Sequence, residues 1–373
     1  MRARRLIAPL LLTAAAAVLT GAAAGSSAPP PSTGEVLLPP AAGRVYHAAN
    51  PGFGGGESGV TGERIQAFEK LAGRRIAWAY FSNNWFRGVN FPARDIDAIY
   101  RSGHLPFVRL MARSSFRDYA PDRRYSMQSI IDGDWDGPRP GSQGLRSWCR
   151  QAAALGRPLL AEFGTEVNGA WFPWNGRWNG GRRRDGYGDP DLADGPERFR
   201  DAYRHIVSLC RAEGADNITW FFHVDADGQP AARWNRAAAY YPGAGFIDWI
   251  GVSFYGSLLR RYGTEQLRAG LERSLPALRR LAADGDKPLA LLEFGTREER
   301  SRPGRKARWI ARAGRDLRRH FPEIDAVSWW NEAYREAGEQ VDLRIDSSAS
   351  ALDAYRAVAA ARRFATDPRF GDR

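Results

Sequence analysis

The chain holds 2 cysteines, 5 histidines and 3 methionines in 373 residues. The histidines are scattered, and no Cys or His pair stands at metal-ligand spacing, so neither a zinc site nor any other metal or cofactor is expected. Nor does the chain carry the spaced glycines that cradle a phosphate. The Gly-rich stretch after the first candidate strand, Asn50-Pro51-Gly52-Phe53-Gly54-Gly55-Gly56, lacks that fingerprint. Long apolar runs are missing too, apart from one at the N-terminus. There Arg2, Arg4 and Arg5 precede the apolar Leu6–Leu19, and Ala22-Ala23-Ala24 offers a cleavage site. Residues 1–24 are therefore expected to be a secretion signal, too short and Ala-rich for a membrane span. Residues 25–42, rich in Pro and Ser, are expected to be a linker, with one domain over 43–373. A secreted monomer with no integral membrane segment after signal cleavage is the expectation.

Acidic charge is in deficit. The formal net charge is +12, or +9 once the three signal arginines are set aside. Nucleic acid is not the expected partner, because Lys and Arg are spread along the chain and the one local run is Arg182-Arg183-Arg184. After a secretion signal, Cys149 and Cys210 are expected to be bonded.

What the sequence does contain is alternation. Eight short apolar runs rich in branched and aromatic residues are predicted strands: Val45–Ala49, Ile76–Phe81, Phe107–Met111, Pro158–Phe163, Ile218–His223, Trp249–Tyr255, Leu289–Glu293 and Ala326–Trp330. Amphipathic helical stretches separate most of them, the one between the fifth and sixth being the least clear. This pattern predicts a single (β/α)8 TIM barrel, with a doubly wound open sheet as the alternative.

Two of the strands end alike. Leu159-Leu160-Ala161-Glu162-Phe163-Gly164-Thr165 runs into Glu166, and Pro288-Leu289-Ala290-Leu291-Leu292 runs into Glu293. In a barrel these ends lie on the catalytic rim, after strands four and seven. A lone strand-end Glu is usually just a surface charge. Two of them, with Trp171, Trp174 and Trp178 beside the first, point instead to paired carboxylates next to sugar-stacking rings. Tyr255, Trp329, Trp330, Trp85, Asn168 and Arg109 are further rim candidates for substrate binding.

Glu166-Val167-Asn168-Gly169-Ala170-Trp171-Phe172-Pro173-Trp174 resembles the acid/base motif of glycoside hydrolase family 26, whose members include secreted β-mannanases. Tyr241-Pro242-Gly243 ahead of Ile247-Asp248-Trp249-Ile250-Gly251-Val252, and Lys287-Pro288 through Glu293-Phe294-Gly295, resemble the same family. The resemblance implies a cofactor-free retaining endo-β-glycanase acting on a β-linked polysaccharide, first of all β-1,4-mannan. Glu166 would be the acid/base, Glu293 the nucleophile, Tyr255 its orienting partner, and Trp171 with Trp329 or Trp330 the stacking platforms. A β-glucan, β-xylan or exopolysaccharide hydrolase, or a non-catalytic carbohydrate-binding barrel, are the alternatives. The chain departs from the family at two places: Thr165 stands where His is usual, and Glu162 where Arg is frequent. Glu162 could repel Glu166 or pair with Arg109. No carbohydrate-binding module is expected.

Overall fold

The computed structural model describes residues 34–54, 57 and 59–373. The predicted signal segment lies outside them. Eight parallel strands close on themselves: β1 (Val45–Asn50), β2 (Trp78–Asn84), β3 (Leu105–Met111), β4 (Leu159–Phe163), β5 (Ile218–Asp225), β6 (Trp249–Tyr255), β7 (Leu289–Gly295) and β8 (Ile324–Trp330). Each pairs with the next, and β8 closes onto β1 through Tyr46↔Ala326 to Asn50↔Trp330. The fold is a (β/α)8 barrel, as the alternation predicts.

The helices form where the sequence gives both a cap and an apolar stripe. Thr61 accepts the Arg64 N–H at the start of Gly62–Ala72, Gly73 ends it in the left-handed region, and Ile65, Phe68 and Ala72 face inward. Between β5 and β6 the α-helical part is a single turn, Ala237–Tyr240, flanked by the 3-10 turns Arg233–Asn235 and Ala244–Phe246, which accounts for the weak helical signal there. The helices Leu145–Ala154 and Asp194–Ala212 are neighbours, and Cys149–Cys210 joins them with Cα atoms 4.7 Å apart. Among the described residues no helix is long and apolar enough to cross a membrane.

The linker expectation for 25–42 needs correction. Glu35–Leu38 is a strand paired antiparallel with Arg369–Asp372. Its Leu37 packs into the barrel-interior cluster, and its backbone is held at both ends: Leu37 N donates to Thr219 Oγ1 at 2.8 Å, and Trp249 Nε1 donates to Leu37 O at 2.8 Å. Val36 and Leu37 bury their side chains, so an apolar pair inside a Pro-rich stretch sufficed to make it part of the fold.

Alternation along each strand divides two cores. Tyr80, Phe107, Leu160, Phe221, Trp249, Leu292 and Trp330 fill the barrel, while Val108, Ala161, Phe163, Trp220, Phe222 and Trp329 face the helices.

Candidate active site

At the C-terminal rim the strand ends line a cleft of about 620 Å³, with Arg109, Glu166, Trp171, Asp225, Tyr255, Glu293 and Trp330 among its walls. Local backbone geometry aims both strand-end glutamates into it. Between β6 and β7 the register slips, so that Val252 pairs with Leu291 but Ser253 with Glu293. This bulge lets Leu292 and the next residue, Glu293, both turn inward, as bulges beside active sites commonly do. Glu166 follows Gly164 (φ 71°) and itself adopts φ 47°. That left-handed conformation costs a non-glycine residue roughly 1 kcal/mol or more. The surrounding loop holds it: Val167 N donates to His223 O at 3.1 Å, Gly169 N to Glu166 O at 2.7 Å, and Trp174 Nε1 to Thr165 O at 2.8 Å.

The two carboxyl groups are almost fully desolvated, Glu166 at 7 % and Glu293 at 4 % exposure, yet their partners differ. Tyr255 donates its hydroxyl to Glu293 Oε2 at 2.7 Å, and an Arg109 NH2 group lies 3.4 Å from Oε1. Burial pushes the Glu293 carboxyl up, and Arg109 with the Tyr255 hydroxyl draws it back part of the way. Among the described residues no cation pairs with Glu166. Burial, then the charges of Glu293 and Asp225, push its carboxyl well above the usual range, against the opposing pull of the Ser253 hydroxyl and of the Trp171 indole N–H, 2.7 Å from Oε2.

Arg109 is the hub. Its guanidinium meets Glu57 at 2.6 Å, Glu293 at 3.4 Å and Glu162 at 3.5 Å, and donates to Thr165 Oγ1 at 3.0 Å. Burial alone would lower its proton affinity; the surrounding carboxylates more than offset this and raise it. Glu162 therefore pairs with Arg109 rather than pressing on Glu166. Its other partners are Tyr80 at 2.5 Å, the Thr165 hydroxyl, and His223 at 2.9 Å. Thr165 is fully buried and stays below the cleft floor.

Of the sequence-derived candidates, Glu166, Glu293, Trp171, Tyr255, Trp330 and Arg109 meet in the cleft; four others lie elsewhere. Trp329 sits on the outward phase of β8, packed against Phe294, Trp309 and Tyr355, its Nε1 donating to Leu343 O at 3.0 Å. Alternation permits only one of Trp329 and Trp330 inside, and it is Trp330. Trp85 follows β2 on the outward phase, stacks on Phe163 and meets Tyr125 edge to face. Trp174 is fully buried beneath the loop it pins. Asn168 clamps β5 through both atoms of its amide, accepting from Asp225 N at 2.7 Å and donating to Asp225 O at 2.8 Å. These four are scaffold, not cleft wall.

The cleft also holds residues not foreseen. Glu57 comes from the loop after β1, and Tyr334 from the Ala333–Glu336 strand. Phe116, Tyr119 and Tyr262 line the mouth although they are 54 %, 57 % and 64 % exposed. Phe116 and Tyr119 lie in an irregular loop and Tyr262 in a single 3-10 turn, Arg260–Tyr262, too short for any periodicity to betray them. His223 and Ser253, beneath Glu166, did leave a trace, since both occupy inward positions of predicted strands.

Residues 148–268 match Glycosyl hydrolase family 26, a window holding Glu166, Trp171, His223 and Tyr255 but ending before Glu293. The chain is 26% identical over 296 residues to Endoglucanase H of Acetivibrio thermocellus, across 78% of this chain and 28% of that protein. It thus spans less than a third of that relative's length. Among solved structures it resembles a Cellulomonas fimi endo-β-1,4-mannanase double mutant, with TM-score 0.60 and 17% identity over 86% of this chain and 72% of that one. It also resembles the catalytic domain of a Bacillus sp. JAMB-750 endo-β-1,4-mannanase, with TM-score 0.57 and 14% identity over 86% and 87%. At such identities these two likenesses speak for the fold of the chain alone.

Proposed function

We propose that this protein is a glycoside hydrolase, a secreted, retaining endo-β-glycanase whose first substrate class is a β-1,4-linked mannan-type polymer. The observation that carries the reading is the unequal electrostatic setting of two buried carboxyl groups facing one cleft. Glu293, with a guanidinium and a tyrosine hydroxyl against it, is suited to remain ionised and attack the anomeric carbon. Glu166, without a cation and beside a second carboxylate, is suited to hold its proton until the leaving oxygen needs it. In double displacement Glu293 forms the glycosyl bond as Glu166 protonates the departing sugar. Glu166 then takes a proton from the water that releases the second sugar. A binding barrel has no use for two desolvated carboxylates, which disfavours the non-catalytic alternative.

Trp171, Tyr255 and Trp330 offer ring faces near the carboxylates, and Phe116, Tyr119 and Tyr262 continue the aromatic lining outward. That extent suits a polymer bound along its length, hence internal cleavage. The Cys149–Cys210 bond fits an oxidising compartment. The resemblance of the Glu166 motif to the β-mannanase family favours mannan; the curated relative is an endoglucanase, which favours β-glucan as the second reading.

Hydrolysis of mannan, β-glucan and xylan, with the newly formed reducing end followed by NMR, tests the proposal. The β-anomer is expected first, and fastest on mannan. First appearance of the α-anomer would overturn retention, and no hydrolysis of any β-glycan would overturn the reading.

A further inference from the structure

Lys and Arg are spread along the chain, but their excess over acids is not. The helix Arg305–Arg319, which follows β7, carries seven cations against one acid, a net of +6 in a chain whose net charge is +9 without the signal arginines. Lys306 is buried beneath the helix, where its Nζ donates to Asp342 O, Arg344 O and Ser347 Oγ. The arginines are on the other side. Arg308, Arg312, Arg315 and Arg319, spaced by four, three and four residues, share one face, and all four are exposed. At 1.5 Å per residue the stripe is roughly 16 Å long.

The fold leaves this face largely uncompensated. Arg305 pairs with Glu299, and Arg312 lies 3.8 Å from the buried Asp316. Among the described residues no carboxylate pairs with Arg308, Arg315, Arg318 or Arg319. On the neighbouring helix Leu267–Ala282, by contrast, Arg268, Arg273 and Arg279 each reach a carboxylate. Helix stability does not account for the stripe. Cations suit the last turn, which covers Arg318 and Arg319, but Arg308 stands at the wrong end for the helix dipole, and like charges three and four apart repel. The helix Ala349–Ala359 packs so closely alongside that a Cβ on Gly314 would lie 2.7 Å from Val358. Its exposed Arg356, and Arg362 just past its end, widen the positive field, and Asp353 is the one acid on that helix.

We propose that this face is a docking surface for a linear carboxylated polysaccharide, separate from the cleft. None of its arginines lines the cleft, so a chain held along the stripe leaves the substrate path open. Every exposed cation of the stripe is Arg, whose planar fork matches a carboxylate with two parallel hydrogen bonds. A repeating polyanion gains from each such contact and from the counter-ions released by it. Two other polyanions fit less well. Single-stranded nucleic acid uses rings for its bases to stack on, but Trp309 and Tyr355 are only 2 % and 5 % exposed. An anionic membrane surface also takes an apolar edge, and the exposed large apolar side chains among the described residues, Phe116, Tyr119 and Tyr262, stand at the cleft mouth. The choice of a polysaccharide among polyanions rests on the glycanase reading; the uncompensated stripe itself does not.

The test is calorimetric titration of the full chain with polygalacturonate across about 50–200 mM salt. The logarithm of the affinity should fall linearly with the logarithm of salt concentration. At about 0.7 per neutralised charge, four arginines give a slope of roughly −3. Arg308→Gln, Arg312→Gln, Arg315→Gln and Arg319→Gln together should weaken binding about tenfold or more and flatten the slope, while hydrolysis of a soluble neutral β-glycan is unchanged. Glutamine is a good helix former, so the helix should persist; should the fourfold variant not fold, Arg312→Gln with Arg315→Gln decides, and about half the slope should be lost. The control replaces Arg94, Arg182, Arg184 and Arg236, all exposed and elsewhere on the surface, by Gln. It has the same net charge and should bind like the wild type. Equal weakening in both fourfold variants, or none in the stripe variant, would overturn the proposal, as would a wild type that does not bind polygalacturonate. Tighter binding to polyphosphate, single-stranded DNA or phosphatidylglycerol vesicles at the same salt would overturn the choice of partner. The titration needs no turnover. Binding through the stripe by a protein that hydrolyses no β-glycan would sink the glycanase reading and uphold the docking surface.

Discussion

Tyr255→Phe isolates the electrostatics of Glu293 with the smallest change in shape. The substitution removes one oxygen and leaves the ring in the cleft wall. In the wild type the Tyr255 hydroxyl donates to Glu293 Oε2 at 2.7 Å. Tyr80 lies 3.4 Å from Oε1, but its single hydrogen is committed to Glu162 at 2.5 Å. Only Arg109 remains as a second partner, at 3.4 Å. A hydrogen bond to a charged acceptor is worth about 1.5–3 kcal/mol, and 1.36 kcal/mol corresponds to one pKa unit, so roughly one to two units are at stake. The hydroxyl favours the ionised form, so its loss must raise the Glu293 pKa. A nucleophile has to be ionised, and the acid limb of the kcat/KM profile should therefore move to higher pH by that amount, with the alkaline limb shifted far less. The assay is initial-rate hydrolysis of a soluble β-glycan across pH, at temperatures where the circular dichroism of the two proteins matches. An acid limb that stays put, with activity lost equally at every pH, would refute the assignment of Glu293 as the group that must ionise.

Glu166→Gln should stabilise the fold increasingly as pH rises. The folded-state pKa lies above the unfolded value, so the wild type loses stability as pH climbs from near the ordinary glutamate value of 4.5 through the folded pKa, and the glutamine variant escapes that loss. Thermal melts showing the same difference between the two proteins at all pH values would contradict this. Trp329→Ala should cost about 3–5 kcal/mol in urea unfolding while the folded fraction keeps its kcat/KM; Trp171→Ala should do the reverse, losing polymer hydrolysis with little change in melting temperature. Replacing Cys149 and Cys210 together by Ser should remove roughly 4 kcal/mol, the chain-entropy worth of a loop spanning 61 residues, and an unchanged unfolding midpoint would show that the bond contributes nothing.

The barrel was legible because eight short apolar runs recur, most of them separated by amphipathic stretches, and each repetition constrains the rest. Glu166 and Glu293 were legible for a related reason: a charge closing an apolar strand is conspicuous, and the barrel says on which face it emerges. Side-chain phase was harder. Trp329 and Trp330 are adjacent, and only the register of β8 against β1 decides which enters the barrel; the same phase sends Trp85 outward. At Glu293 simple alternation from Leu292 would mislead, because the bulge at Ser253 brings both inward. Trp174 and Asn168 sit in the motif that carries Glu166, and nearness in sequence disguised their work of fixing its loop. Glu57, Phe116 and Tyr119 come from irregular loops and Tyr262 from a single 3-10 turn, where spacing carries no information about direction. Val36 and Leu37 were hidden by composition, since a Pro- and Ser-rich context outweighs two apolar residues until a partner strand is known.

The most direct test of the central claim is chemical rescue at Glu293. The Glu293→Ala variant, assayed on a β-glycoside with an activated leaving group, should be inert alone and partly restored by azide, which can occupy the vacated space and attack the anomeric carbon. The account predicts a glycosyl azide of inverted configuration. A Glu293→Ala variant that hydrolyses polymer at the wild-type rate without azide would contradict it.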